Sequence, residues 1–333
     1  MSTSRPRYIP TDPSEDHAVD LDEPKEDVIP ESTGTEEFEV HDAELPSKAG
    51  NYLFTIGNVG CGKSTLQTAL VYRLWTREDI RFDFNHEKND QRHDALLHQW
   101  ILRLKSGQLP ARTKQGRLQE FNIAFGQDRK KTLELNFLEI SGEDIKSIVP
   151  TLDTNRPPAI NRQLVDYLKA DRGRINKRFL FVSDATAHLP GAVRDGGEDF
   201  TEDMLFSAFI RYLLSKEGLG LDRINTLFVA AKWDAAQFHF GTAKNYFRRT
   251  FPNTRGMLRS DRCRVQYIPF SIGSVGEKKV GNKVEPRVVS LESRYLDLAI
   301  QWIYHSFTGI QLKNMPKVQP SLLDKIRYFF SPR

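Results

Sequence analysis

Between residues 50 and 310 the apolar positions alternate between two rhythms. Tyr52-Leu53-Phe54-Thr55-Ile56 is a short continuous apolar run, and Leu66, Ala69, Leu70 and Leu74 then recur at helical spacing. A polar helix is predicted over 90–105, with Leu96, Leu97, Trp100, Ile101 and Leu104 on one face. Residues 119–125 and 133–140 alternate apolar and polar at first, as half-exposed strands do, and the polar stretch from Gly126 predicts a hairpin between them. Residues 178–183 and 224–231 read as buried parallel strands. Between them, 203–215 carries Leu205, Phe206, Phe209, Ile210, Leu213 and Leu214 at helical spacing. A last strand is expected at 265–270, then a loop rich in Gly and Lys, then a helix over 291–307. No internal repeat is visible. Strand–helix alternation of this kind predicts an α/β fold, a mostly parallel sheet with helices on both faces.

The first strand and helix are joined by Gly57-Asn58-Val59-Gly60-Cys61-Gly62-Lys63-Ser64-Thr65, a G-x-x-x-x-G-K-S loop. Glycines let successive N–H groups turn inward around an anion, and the helix that starts near Lys63 adds its unsatisfied N–H groups. Lys63 would reach the β- and γ-phosphates, and the Ser64 hydroxyl would ligate Mg²⁺. A chance glycine turn is the alternative, and the strand–loop–helix setting disfavours it.

A phosphate loop does not choose a base, and ligands in such sheets sit beyond the carboxyl ends of the strands. Three strand ends carry candidate chemistry. In Phe137-Leu-Glu-Ile-Ser-Gly-Glu-Asp144, Glu139 could hold Mg²⁺ through a bound water, Gly142 could offer a bare N–H to the γ-phosphate, and Glu143 could orient the attacking water. In Lys232-Trp-Asp234, Asp234 would accept from guanine N1–H and its exocyclic amine, with the Lys232 stem along the base. Adenine offers no donor at either place, so it would leave a carboxylate unpaired. Ser271, after the last strand, could close over the base oxygen. Each motif alone also reads as an ordinary polar turn.

Charge adds an asymmetry that the net +4 hides. Residues 1–48 hold fourteen acids against four bases, a net −10, so residues 49–333 carry +14. That proline-spotted, apolar-poor leader is expected to be disordered, a solvating tail or an arm for a partner. The expected domains are a leader over 1–48, a nucleotide-binding body over 49–312, and a basic amphipathic tail over 313–333. In the tail, Leu322, Leu323, Ile326, Phe329 and Phe330 share a helical face. That face suits packing on the body or a partner, or weak contact with a membrane surface. No apolar run approaches the roughly 18 residues of a membrane span, and the N-terminus lacks an apolar signal region, so a cytoplasmic or peripheral membrane location is expected. The two cysteines, Cys61 and Cys263, make no framework. His86, His93 and His98 match no zinc spacing and read as surface residues. The basic runs at 129–131, 172–178 and 248–249 lack an aromatic platform, so no specific nucleic-acid binding is expected. Asp184, at a strand end, reads as a cap or loop brace rather than a magnesium ligand.

Taken in order, G-x-x-x-x-G-K-S, E-x-x-G, K-x-D and a Ser-bearing loop resemble the motif series of Ras-like P-loop GTPases over about residues 50–310. Within that superfamily, the stretch 104–113, the Leu-Glu-Ile-Ser-Gly-Glu-Asp run and the strand end 181–185 are most similar to the bacterial double-GTPase families of conflict and defence systems. The resemblance implies a GTP/GDP switch with Mg²⁺, an enlarged switch I region, and Thr113 as the switch threonine meeting Mg²⁺ and γ-phosphate. Thr76 and Thr132 are the other threonines between the first helix and Glu139. Arg112 or Arg103 could supply charge to the transition state. Partners would be a protein effector, a second GTPase or a second copy. Three departures stand out: Glu139 replaces an aspartate, Glu143 replaces a glutamine, and Ala231 replaces Asn or Thr before Lys232, losing a loop brace worth roughly 1 kcal/mol. An ATPase that drives a partner's remodelling and a nucleotide-stabilised scaffold are the alternatives to a slowly hydrolysing switch.

Overall fold

The computed structural model describes residues 49–85, 91–110, 119–140, 142–148, 162–169, 175–192, 201–215, 225–258, 264–280 and 283–316. The acidic leader, Thr113, Arg112 and the amphipathic tail beyond 316 lie outside them. One sheet organises the described chain, in the order β2-β3-β4-β1-β5-β6-β7. Its strands are β1 Gly50–Ile56, β2 Arg81–Asp83, β3 Gln119–Gly126, β4 Leu133–Glu139, β5 Ile175–Asp184, β6 Asn225–Ala231 and β7 Arg264–Pro269. Strands β4, β1, β5, β6 and β7 are parallel, while β3 runs antiparallel to both β2 and β4. The expected α/β fold with a mostly parallel sheet is what forms. The expected hairpin is the β3–β4 pair, with Phe121 opposite Phe137.

Side chains of the central strands divide by parity, because successive residues point to opposite faces. Leu53, Leu180, Val182, Leu227 and Val229 pack with α1 (Lys63–Thr76), α2 (Gln91–Lys105) and α9 (Ser293–Thr308). Tyr52, Phe54, Phe179, Phe181 and Phe228 face the other way. There they meet α4 (Arg162–Lys169), α5 (Glu202–Ser215), α6 (Trp233–Phe240) and α7 (Ala243–Thr250). Two cores, one on each face, explain why β5 and β6 read as continuous apolar runs. Burying a Phe or Leu fully contributes about 1.5–3 kcal/mol each, and the parallel strands gain it on both sides.

The predicted helix over 90–105 is α2, and Leu97, Trp100, Ile101 and Leu104 are its buried face. The helix over 291–307 is α9, capped by Glu292, whose carboxylate accepts from the Arg294 N–H at 2.9 Å. The stretch after β7 corrects the expectation of a Gly/Lys-rich loop: it is a second, two-stranded sheet, β8 (Gly273–Val280) with β9 (Lys283–Leu291). Its alternation is too polar to show a buried face, which is why periodicity alone missed it. Past 308 the chain stays tied to the body: Leu312 and Met315 are buried, and Gln127 holds both the N–H and the C=O of Lys313 at 2.7 and 2.8 Å.

Candidate functional site

Strand β1 ends against the sheet's two neighbours, β4 and β5, and the glycine loop leaves from that central position. Close packing dictates its composition. A Cβ on Gly57 would lie 2.4 Å from the Val182 carbonyl oxygen and 2.6 Å from Cys61 Sγ. Gly62 has φ 100° and caps α1, so the turn into the helix uses left-handed backbone. Within the loop, Asn58 Oδ1 accepts from the Val59 N–H at 2.8 Å. Lys63 is buried, and its Nζ donates to the Gly57 and Asn58 carbonyls at 2.9 and 3.0 Å. The lysine that would meet phosphate is thus held inside the loop, in reach of its concave face. Thr65 follows on the first turn of α1. Behind the loop, Gln67 Nε2 donates to Thr55 Oγ1 at 2.9 Å and pins α1 to β1.

Of the three magnesium candidates, Ser64 and Glu139 meet, and Thr113 lies outside the described residues. Ser64 Oγ donates to Glu139 Oε1 at 2.9 Å, although 75 positions separate them in the chain. Glu139 ends β4, its Cα paired with that of Thr55, and is 1% exposed. One hydroxyl and one carboxylate supply hard oxygen donors, the chemistry Mg²⁺ takes, usually with several waters retained. The extra methylene of Glu139 therefore still reaches the serine. Gly142 closes the same site: a Cβ there would lie 2.5 Å from the Val59 nitrogen and 2.8 Å from the Asn58 carbonyl carbon. Only a glycine lets the start of α3 (Gly142–Lys146) touch the phosphate loop. Glu143 follows it, and Asp144 beside them has its pKa raised, by burial first and by Glu143 second. Cys61, inside the loop, is fully buried and its thiol is pushed up to about 12, mainly by desolvation.

The base-reading candidates also meet. Ser271 Oγ donates to Asp234 Oδ1 at 2.9 Å and accepts from the Asp234 N–H at 2.9 Å. The serine hydroxyl thus orients the aspartate, a contact that spacing alone did not suggest. Lys232 caps α6 in left-handed backbone, φ 54°, ψ 39°. Its neighbour Ala231 approaches the phosphate loop: a Cβ on Gly62 would sit 3.6 Å from that of Ala231. Contact between the two loops is apolar here.

Two features outside the expected set border the site. Asp184 does brace a turn: its Oδ1 accepts from the Thr186 N–H and hydroxyl at 2.9 and 2.6 Å, and its Oδ2 accepts from Lys232 at 2.5 Å. Next to it, buried Ser183 donates to Glu202 and bonds Tyr246 Oη at 2.6 Å, while His188 Nε2 lies 3.0 Å from the same Glu202 oxygen. Burial foremost, then Glu202, raises the Tyr246 hydroxyl well above its usual range. No sequence signal marks this cluster, because its members come from β5, a turn, α5 and α7. Of the histidines, His98 is exposed and lies tilted against Phe84, ring centroids 4.6 Å apart, as a surface residue would. No group of His, Cys, Asp and Glu suited to a metal occurs among the described residues.

A glycine loop whose helix serine meets the carboxylate ending a neighbouring parallel strand belongs to one class, the P-loop nucleotide-binding proteins. Comparison with known families is more specific. Residues 54–171 match the family model described as Double-GTPase 1. Over that segment, about a third of its length, the chain is similar to the double-GTPase family of P-loop GTPases. No match was found among curated proteins. Among solved structures, the chain is similar to the signal recognition particle receptor SRb-GTP/SRX complex from Chaetomium thermophilum. That match has 14% identity and a TM-score of 0.37, over 69% of this chain and 94% of that one. It is also similar to the S. cerevisiae Ski7 GTPase-like domain bound to GDP and inorganic phosphate, with 14% identity and a TM-score of 0.34, over 67% and 43%. The third is Methanosarcina barkeri Roco2 RocCORdC bound to GDP, with 13% identity and a TM-score of 0.29, over 69% and 46%. The chain spans less than half the length of the last two. Among the described residues no helix is long and apolar enough to cross a membrane.

Proposed function

We propose that the protein is a guanine-nucleotide switch that binds Mg²⁺·GTP, hydrolyses it slowly and changes its affinity for a protein partner when the γ-phosphate is lost. The observation that carries the reading is the Asp234–Ser271 pair, just past the ends of β6 and β7, with Ala231 at the end of β6 approaching Gly62 of the phosphate loop. A carboxylate held there by a serine hydroxyl suits guanine's two adjacent donors and would be left unpaired by adenine.

In this reading, Lys63 and the loop N–H groups would hold the phosphates, and Ser64 with Glu139 would hold Mg²⁺, which would supply charge neutralisation. Gly142 would offer its backbone N–H to the γ-phosphate, Thr113 would add a metal and phosphate ligand, and Glu143 would orient water. A carboxyl group at Glu143 lacks the amide N–H donors that a glutamine would offer to water, which supports slow turnover. The partner would be an effector, a second GTPase or another copy of this chain. The tail beyond 316 is the part suited to a membrane surface, and a role in bacterial conflict or defence rests on the family resemblance alone.

The test is a titration of the protein with GTP, GDP and ATP, each with Mg²⁺, beside Asp234→Asn with GTP and XTP. Guanine preference, with the variant shifted toward xanthine, is expected. Equal or tighter ATP binding would replace this reading with an ATPase. Single-turnover hydrolysis then separates a switch from a scaffold, since a scaffold leaves GTP intact. The defence role is tested by comparing phage plating on cells that carry wild type or Lys63→Ala. Equal plating on both, across several phages, would reject it.

A further inference from the structure

Lys232 is in left-handed backbone with no side-chain cap on its helix, and Ala231 before it has no polar side chain to brace the loop. Something else must fix this lysine. Strands β5 and β6 end together, the Cα of Asp184 paired with that of Ala231, so Asp184 is the side chain nearest in register to the K-x-D loop. Its two carboxylate oxygens are divided between two tasks. Oδ1 takes both donors of Thr186 and is thereby locked to the turn. Oδ2 takes the Lys232 ammonium, 2.5 Å away. The acid is 16% exposed and the lysine 50%, so a mostly buried carboxylate holds a half-exposed cation.

We propose that Asp184 is a positioning residue of the base site: by holding the Lys232 ammonium across the ends of β5 and β6, it keeps the lysine's methylene stem extended as one wall for the base. The proposal rests on the guanine-nucleotide reading above and takes over the task of the brace that Ala231 cannot supply. A methylene stem contacts any purine face, so this wall contributes affinity without choosing among guanine, xanthine and hypoxanthine. Choice stays with Asp234. Holding a long flexible side chain in its bound geometry lowers the ordering cost paid on binding.

The test is a double-mutant cycle on Asp184→Asn and Lys232→Met, with GTP, XTP and ITP as ligands and Thr186→Val as control. Asp184→Asn should raise the Kd of all three nucleotides by about two- to fivefold, the range of a partly exposed ion pair, with their ratios unchanged. It should cost nothing further in a Lys232→Met background, so the cycle is non-additive. The wild-type advantage should shrink as salt is raised from about 0.05 to 0.5 M, because the pair is screened. Asp184→Glu should restore part of the loss. Additive single effects, a loss equally large in Thr186→Val and insensitive to salt, or no change in Asp184→Asn would overturn the proposal. Asp234→Asn run in parallel separates the two claims. If it shifts preference to XTP while Asp184→Asn binds like wild type, only the positioning role falls. If wild type shows no guanine preference, the function itself is wrong.

Discussion

Ser64 and Glu139 meet at 2.9 Å between the first turn of α1 and the end of β4, hydroxyl to carboxylate, at the one place where β1's loop and its neighbouring strand converge. Ser64→Ala would remove one of the oxygen donors proposed for Mg²⁺ and should weaken Mg²⁺-dependent GTP binding by about 10- to 100-fold while leaving any metal-free binding nearly unchanged. Isothermal titration with and without Mg²⁺ checks this. Glu139→Asp should retain most of the affinity only if the backbone shifts to recover the lost reach, so a weaker magnesium dependence is expected.

Gly142→Ala places a methyl 2.5 Å from the Val59 nitrogen, against backbone that cannot rotate away. Overpacking of this kind costs about 1–3 kcal/mol. A lower Tm is expected in the nucleotide-free protein, together with at least a tenfold slower single-turnover hydrolysis of GTP. GDP binding should change little. A variant with unchanged Tm would show that α3 does not press on the loop.

Burial raises the Cys61 thiol from its usual 9.0 to about 12. The neutral thiol is the form favoured by the folded state, so its contribution is intact below pH 9. As pH rises from 9 to 12, the unfolded chain loses this proton and the folded chain keeps it, and stability falls by about 1.4 kcal/mol per pH unit from this group. Denaturant unfolding of wild type and Cys61→Ala at pH 8 and pH 10.5 should show a smaller alkaline loss in the variant. At pH 7.5 the same thiol should resist alkylation in the folded protein and react once unfolded.

Gly107, just past α2, has φ 76°, and a Cβ there would meet the Val288 carbonyl oxygen at 2.6 Å. The Val288 N–H donates back to the Gly107 carbonyl at 2.8 Å, so the β8–β9 hairpin is docked on the end of α2. Gly107→Ala should cost about 1–3 kcal/mol through clash and strained φ. Hydrogen exchange at the Val288 amide should accelerate more than exchange in β1 or β5. Uniform acceleration across the sheet would show that the hairpin has no docking energy of its own.

Much of the site was legible before any coordinates. The glycine loop announces itself, because no other residue permits its backbone, and Glu139, Asp234 and Ser271 were visible as polar residues ending apolar runs. What periodicity could not register was the company these residues keep. Asp184 reads as a simple cap, and only the pairing of β5 with β6 brings it beside Lys232. The cluster of Ser183, Glu202, Tyr246 and His188 has no local signature at all. The β8–β9 hairpin escaped because its strands are rich in Gly, Lys and Ser and show no regular apolar–polar alternation.

The sequence by itself determined the sheet's apolar strands, the helices that cover both faces and the phosphate loop, since side-chain period and glycine geometry act over a few residues. The tertiary structure alone decided that Ser64 faces Glu139, that Ser271 orients Asp234 and that Asp184 holds Lys232. Those pairs are 75, 37 and 48 positions apart. Hydrogen bonds of about 3 Å between such distant residues depend on strand order and register, and those are set by how two buried faces pack, not by any local run of residues.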